Sequence, residues 1–171
     1  MTVDFDTLAN FLKNSSGLII AADKLYLVES RLQPVIAKHG CKSLADLVGR
    51  LKTFPGEDLK RDVVEAMTTN ETSFFRDGGP FENLRTKLLP ALEKSRAATK
   101  KIRIWCAAAS TGQECYSVAI TVLESGLPAR GWKVEIVGTD IDSVVLKRAS
   151  DALYAKLEVQ RGLPIAHLIK Y

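Results

Sequence analysis

Residues 102–125 read Ile-Arg-Ile-Trp-Cys-Ala-Ala-Ala-Ser-Thr-Gly-Gln-Glu-Cys-Tyr-Ser-Val-Ala-Ile-Thr-Val-Leu-Glu-Ser. Apart from Arg103 the first five are β-branched, aromatic or otherwise apolar, the composition of a buried strand. Residues 107–112 carry only small side chains. Tyr116, Ala119, Ile120 and Leu123 then recur at helical spacing and predict a helix with that face inward. Strand, small-residue turn and helix form the first half of a βαβ unit, in which ligands sit beyond the carboxyl ends of the strands. Small residues let a ligand reach main-chain N–H groups, so residues 108–112 are a candidate seat for a nucleotide-like cofactor. The turn contains neither Gly-x-Gly-x-x-Gly nor Gly-Lys-Ser/Thr. On this stretch alone a plain strand–helix turn is equally open.

Downstream, Val134-Glu135-Ile136-Val137-Gly138 predicts a second strand, ending in Thr139-Asp140-Ile141-Asp142. A carboxylate at that tip can accept two hydrogen bonds from ribose hydroxyls, which makes Asp140 a candidate ribose ligand. Asp142 or Ser143 would cap the next helix, with Val145, Leu146 and Ala149 facing inward. Residues 154–171 are less regular. A sheet of two strands leaves exposed edges and a bare face. We expect it to be completed by a longer chain, with self-association through a second copy as the other route.

Upstream, the spacing predicts a small helical bundle. Phe5, Leu8, Ala9 and Leu12 mark a first helix, stopped by Asn14-Ser15-Ser16-Gly17. Asp23 is the expected N-cap of a second helix carrying Leu25, Val28, Leu32, Val35 and Ile36 and stopped by Gly40. Ser43 is the expected cap of a third, with Leu44, Leu47, Val48 and Leu51. Leu59, Val63, Val64 and Met67 mark a fourth. Lys24, Arg31 and Lys38 fall at steps of seven on one side of the second helix. Residues 68–80, Thr-Thr-Asn-Glu-Thr-Ser-Phe-Phe-Arg-Asp-Gly-Gly-Pro, mix hydrogen-bonding groups with adjacent aromatics. Such a segment either docks on a domain or lines a site. A helix over residues 81–92 with Leu84, Leu88 and Leu92 on one face follows.

The 171 residues are 46% hydrophobic and 26% charged, the balance of a soluble globular protein with one good core or two small domains. No run approaches the ~18 apolar residues of a membrane span. Residues 1–10 carry Asp4 and Asp6 and no basic leader, unlike a secretory signal. Cys41, Cys106 and Cys115 are odd in number and unpaired in spacing, which fits free thiols in a reducing cytoplasm. His39 and His167 have no Cys or His neighbours in sequence, so no metal is expected. The net charge is +4, with a basic cluster at Lys94, Arg96, Lys100, Lys101 and Arg103. That cluster lacks interleaved aromatics, and nucleic acid is a poor candidate partner.

Residues 69–76 (Thr-Asn-Glu-Thr-Ser-Phe-Phe-Arg), residues 107–117 (Ala-Ala-Ala-Ser-Thr-Gly-Gln-Glu-Cys-Tyr-Ser), residues 138–142 (Gly-Thr-Asp-Ile-Asp) and residues 159–164 (Val-Gln-Arg-Gly-Leu-Pro) resemble, in order and spacing, the signatures of CheR-type chemoreceptor glutamate methyltransferases. The resemblance spans the whole chain and about the first two-thirds of the family's usual length. It implies an α/β protein with an all-α N-terminal domain: a helical bundle over residues 1–69, a segment at 70–98 contributing to the cofactor site, and a partial Rossmann-like sheet over 99–171. The implied cofactor is S-adenosyl-L-methionine, with S-adenosyl-L-homocysteine as product. The implied reaction forms glutamyl methyl esters on the cytoplasmic domain of membrane chemoreceptors. By the same resemblance Asn70, Thr72, Arg76, Glu114 and Asp140 would bind the cofactor, Arg76 through its carboxylate and Asp140 through its ribose. The Lys24/Arg31/Lys38 stripe is the candidate receptor-facing surface. Cys115 departs from the family, which usually has proline there. No catalytic side chain is assigned, because a carboxylate is already nucleophilic at neutral pH. The family's target-positioning residues lie past residue 171, so the chain alone is expected to bind cofactor weakly and to be inactive. A non-catalytic module of the same fold, binding cofactor or receptor, is the alternative.

Overall fold

The computed structural model describes residues 5–53 and 55–171. Residues 1–4, part of the N-terminal stretch discussed above, and residue 54 lie outside the described residues. The chain divides into two compact units, Met1–Thr69 and Asn70–Tyr171.

The first unit is built from α1 (Phe5–Ser16), α2 (Leu25–Lys38), α3 (Leu44–Lys52) and α4 (Glu57–Met67). The apolar stripes read from the sequence meet here: Leu8, Leu12, Val28, Leu32, Leu47 and Val63 are fully or almost fully buried. Each such side chain stabilises the bundle by roughly 1.5–3 kcal/mol relative to exposure. Ser43 caps α3, accepting the Asp46 N–H at 3.2 Å. Asp23 does not cap α2: it lies in a short 3₁₀ turn at Ala22–Lys24, and the helix starts without a side-chain cap. The basic stripe of Lys24, Arg31 and Lys38 is partly engaged within the unit. Arg31 donates to the main-chain oxygens of Met67 at 3.0 Å and Thr68 at 2.8 Å. It thereby closes the C-terminal end of α4, where carbonyls and the helix dipole favour a cation. Lys38 pairs with Asp62 at 2.7 Å, and Lys24 lies 3.5 Å from Asp23.

In the second unit α5 (Gly79–Asn83), a π-helical turn (Leu84–Leu88) and α6 (Leu89–Ser95) form one helical run. The π turn winds in an extra residue and shifts the phase of everything after it. Leu88, expected inward, is therefore 55% exposed, and Leu89 is buried in its place at 1%.

β1 (Lys101–Ala107) and β2 (Lys133–Thr139) pair in parallel, with Ile102 opposite Val134 and Arg103 opposite Glu135. The expectation of a wholly buried first strand is corrected: burial alternates, with Ile102 and Cys106 inside while Trp105 is 69% exposed. The outer face is held by cross-strand pairs, Arg103 with Glu135 at 2.8 Å and the Trp105 indole N–H with the Thr139 hydroxyl at 2.9 Å. α7 (Gln113–Glu124) joins the strands and covers the inner face. Its buried side is Ser117, Val118, Ile120, Thr121 and Val122; of the expected inward face Ile120 is buried, Tyr116 and Ala119 are half-buried, and Leu123 is 48% exposed. Hydroxyls take part in this interface because each is hydrogen-bonded: Ser117 Oγ donates to the Gln113 carbonyl at 2.6 Å and accepts the Phe75 N–H at 2.9 Å. α8 (Ser143–Asp151), α9 (Lys156–Gln160) and α10 (Ile165–Lys170) follow.

Candidate cofactor site

The turn between β1 and α7 is wound tightly. Ala108, Ser110 and Gly112 have φ of 57°, 50° and 96°. Left-handed conformations are uncommon outside glycine and cost of order 1–3 kcal/mol each, and they cluster at ligand clamps. Gly112 has no alternative, since a Cβ there would lie 2.8 Å from the Ala149 Cβ and 2.9 Å from the Tyr154 hydroxyl. Gly138, at the end of β2, likewise leaves room for the Cys115 thiol and the Ala109 methyl. The turn can thus lie close against the second strand.

Three motifs far apart in sequence meet at this edge. The Asp140 carboxylate spans two turns: Oδ2 accepts the Ser110 N–H at 2.8 Å and Oδ1 accepts the Asp142 N–H at 3.0 Å. Ser110 Oγ donates to the Asn70 carbonyl at 2.8 Å. The Asn70 side-chain amide donates to Asp142 Oδ2 at 2.6 Å. Asp142 Oδ1 meanwhile caps α8 by accepting the N–H groups of Val144 at 2.9 Å and Val145 at 3.2 Å. Asn70, Ser110, Asp140 and Asp142 are therefore one hydrogen-bonded network at the carboxyl ends of β1 and β2.

Of the five residues expected to bind the cofactor, Asn70 and Asp140 belong to this network. Glu114 is exposed in the first turn of α7, at the same carboxyl end of β1. Thr72 is half-buried in the preceding loop. Arg76 is exposed, and its guanidinium donates to the Glu71 carbonyl at 3.0 Å. Among the described residues these three stand outside the network. Asp142 and Ser110 were not in the expected set. Asp142 is legible as a cap and as the end of the Gly-Thr-Asp-Ile-Asp signature, and nothing local marks it as the partner of a residue seventy-two positions away. Tyr154, whose hydroxyl donates to the Thr111 carbonyl at 2.7 Å, had no sequence signal at all.

The residues present suit a nucleoside-like group. The turn offers backbone unobstructed by large side chains. Asp140 uses one acceptor direction on each oxygen, and a carboxylate has about four. Carboxylates at 114 and 140 also suit a cofactor that carries positive charge.

A helical bundle followed by a parallel strand pair with this carboxyl edge defines a Rossmann-like cofactor-binding protein with an all-α first domain. Residues 3–68 match the family model of the CheR methyltransferase all-alpha domain, and residues 70–171 match that of the CheR methyltransferase SAM binding domain. The chain belongs to the CheR methyltransferase family, and its cofactor is S-adenosyl-L-methionine. It is 37% identical to chemotaxis protein methyltransferase Cher2 of Pseudomonas putida, over 99% of this chain and 62% of the relative. It is 40% identical to chemotaxis protein methyltransferase 1 of Pseudomonas aeruginosa, over 98% of this chain and 62% of the relative. Against chemotaxis protein methyltransferase 1 of Vibrio cholerae the identity is 41%, over 94% of this chain and 58% of the relative. The chain thus spans about three-fifths of the length of these curated relatives. Among the described residues no helix is long and apolar enough to cross a membrane.

Proposed function

We propose that this sequence belongs to an enzyme that forms glutamyl methyl esters on the cytoplasmic domains of membrane chemoreceptors, acting in the cytoplasm. The observation that carries this reading is the network joining Asn70, Ser110, Asp140 and Asp142, which places the polar groups of three separate motifs on one edge. S-adenosyl-L-methionine supplies an electrophilic methyl group on a sulfonium. The acceptor, a glutamate carboxylate, is ionised near neutrality with a reference pKa of about 4.3. The residues here therefore have to bind, orient and exclude water, not move a proton.

The roles are those that the family resemblance suggests for these residues. Asp140 faces the ribose with the acceptor directions that its two backbone bonds leave open. Glu114 and Thr72 hold further polar groups of the cofactor. Arg76 takes the cofactor carboxylate, a role that suits a planar guanidinium fork. Asn70 fixes its segment through Asp142 and presents it to the site.

The 171-residue chain by itself binds the cofactor weakly and does not turn over. The exposed outer face of β1 and β2, with Trp105 on it, is a sheet surface that the rest of a methyltransferase domain would cover. The test is incubation of receptor-containing membranes with tritiated S-adenosylmethionine and either this chain or the product of the complete reading frame. Label on receptor that base releases as volatile methanol, with the complete product only, is the expected result. Base-stable label overturns the carboxyl-ester assignment, and absence of label with cofactor bound favours a non-catalytic module. A micromolar cofactor dissociation constant for the monomeric 171-residue chain overturns the claim of weak binding.

A further inference from the structure

Residues 154–162 touch the Asn70–Arg76 motif at positions other than those that bond to the turns. Gly162 has φ +99°, and a Cβ built on it falls well inside contact distance of the Phe74 carbonyl oxygen. The two backbones therefore touch, and only glycine permits it. The neighbouring Arg161 pairs with Glu71 at 2.5 Å, and that ion pair together with nearby Arg76 holds the Glu71 carboxyl below its usual pKa. Phe74 is buried, and the Tyr154 ring meets it edge-on with centroids 5.1 Å apart. The Tyr154 hydroxyl in turn donates to the Thr111 carbonyl in the cofactor turn at 2.7 Å. One short segment thus touches the motif at residues 71 and 74 and the turn at residue 111.

We infer that residues 154–162 form a strap that sets the position of the Asn70–Arg76 motif against the small-residue turn, with Gly162 and Arg161 as positioning residues for the cofactor site. The inference rests on the cofactor lying beside Asn70 and Asp140, as proposed above. The physical reason is that the motif is a loop without helix or strand bonds of its own. Its position is set by its contacts at residues 70, 71 and 74, by the Phe75 N–H bond to Ser117 and by the Phe75 ring against Phe81 and His167. A methyl group at residue 162 pushes the Phe74 carbonyl away and displaces the loop that carries Thr72 and Arg76.

The test measures S-adenosylhomocysteine binding by titration calorimetry in the complete reading-frame product, with unfolding midpoints recorded in parallel. Gly162→Ala is expected to weaken binding by about tenfold or more, as befits a forced backbone conformation. Arg161→Ala should weaken it about threefold, the range of an exposed ion pair, and Arg161→Lys should restore most of that loss. A purely structural role would lower the midpoint of Gly162→Ala and Arg161→Ala without this split between alanine and lysine. Unchanged affinity in folded Gly162→Ala overturns the strap. Should Gly162→Ala not fold, equal affinity of Arg161→Ala and the parent overturns it instead. Asp140→Asn serves as the separate control. Undiminished binding in that variant removes the site assignment, whereas loss there with no effect at 161 and 162 removes the strap alone.

Discussion

The side-chain amide of Asn70 donates to the carboxylate of Asp142 at 2.6 Å, joining a loop to the cap of a helix seventy-two residues later. That bond makes the identity at position 70 sensitive to charge. Asn70→Asp puts two carboxylates in hydrogen-bond contact, so one must stay protonated or swing away. We expect Asn70→Asp to lose about tenfold or more in S-adenosylhomocysteine affinity, more than Asn70→Ala, which leaves Asp142 its bonds to Val144 and Val145. Titration calorimetry of both variants checks the order.

Asp62 in α4 gives the first unit an acid-sensitive point. Burial works to raise its pKa, but hydrogen bonds from Lys38 and His39 outweigh that and hold it below the ordinary carboxylate value. The depressed pKa means that the unfolded chain binds the proton more readily. The contribution is therefore complete above about pH 4 and is lost as pH falls through the folded value. Urea unfolding at pH 6 and pH 3 should show a smaller pH effect in Asp62→Asn than in the parent. At pH 6 the substitution should cost about 1–2 kcal/mol.

Gly112 is the most constrained position of the turn, with φ of 96° and no room for a methyl group beside Ala149 and Tyr154. Gly112→Ala should lower stability by about 1–3 kcal/mol through backbone strain and the forced movement of Tyr154. Denaturant midpoints measure this. A change within error would mean that α8 and Tyr154 yield without resistance.

The cysteines should react unequally. Burial and the neighbouring Cys115 push the Cys106 thiol up to about 12, and burial also raises Cys115. Thiolate is the reacting form, so neither should alkylate readily in the native state at pH 8. Intact-mass analysis after iodoacetamide should show one adduct, on Cys41, with Cys106 and Cys115 modified only in denaturant. Early labelling of Cys106 would contradict the packing of β1 on α7.

Much of the helical architecture is legible in the sequence. Apolar residues at i, i+3 and i+4 and the Ser43 cap mark α3 because both signals are local. Asp23 failed as a cap because the chain enters α2 through a 3₁₀ turn, which its side chain does not announce. The inward face of α7 is only partly legible because, beside Ile120, it contains Ser117 and Thr121, whose hydroxyls are satisfied inside the fold. A hydropathy pattern counts them as polar. Arg31 looked like part of a solvated or receptor-facing stripe, yet it binds main-chain carbonyls thirty-six and thirty-seven residues away. At the site, Asp140 and Asn70 stand out by motif. Their mutual organisation through Ser110 and Asp142 is a product of long-range pairing that no local spacing encodes.

The π turn at Leu84–Leu88 bears on how relatives of this chain should be aligned. The run from Gly79 to Ser95 holds one residue more than an unbroken α-helix needs to present Phe81 and its next core leucine on the same side. Leu88 and Leu89 are identical side chains, so removing one of them leaves a leucine seven residues after Phe81, on the same helical face. A single-residue gap at this point would exchange one winding for another while filling the same seat. It is a length change that the fold can absorb inside a helix, where gaps are ordinarily taken as signs of misalignment.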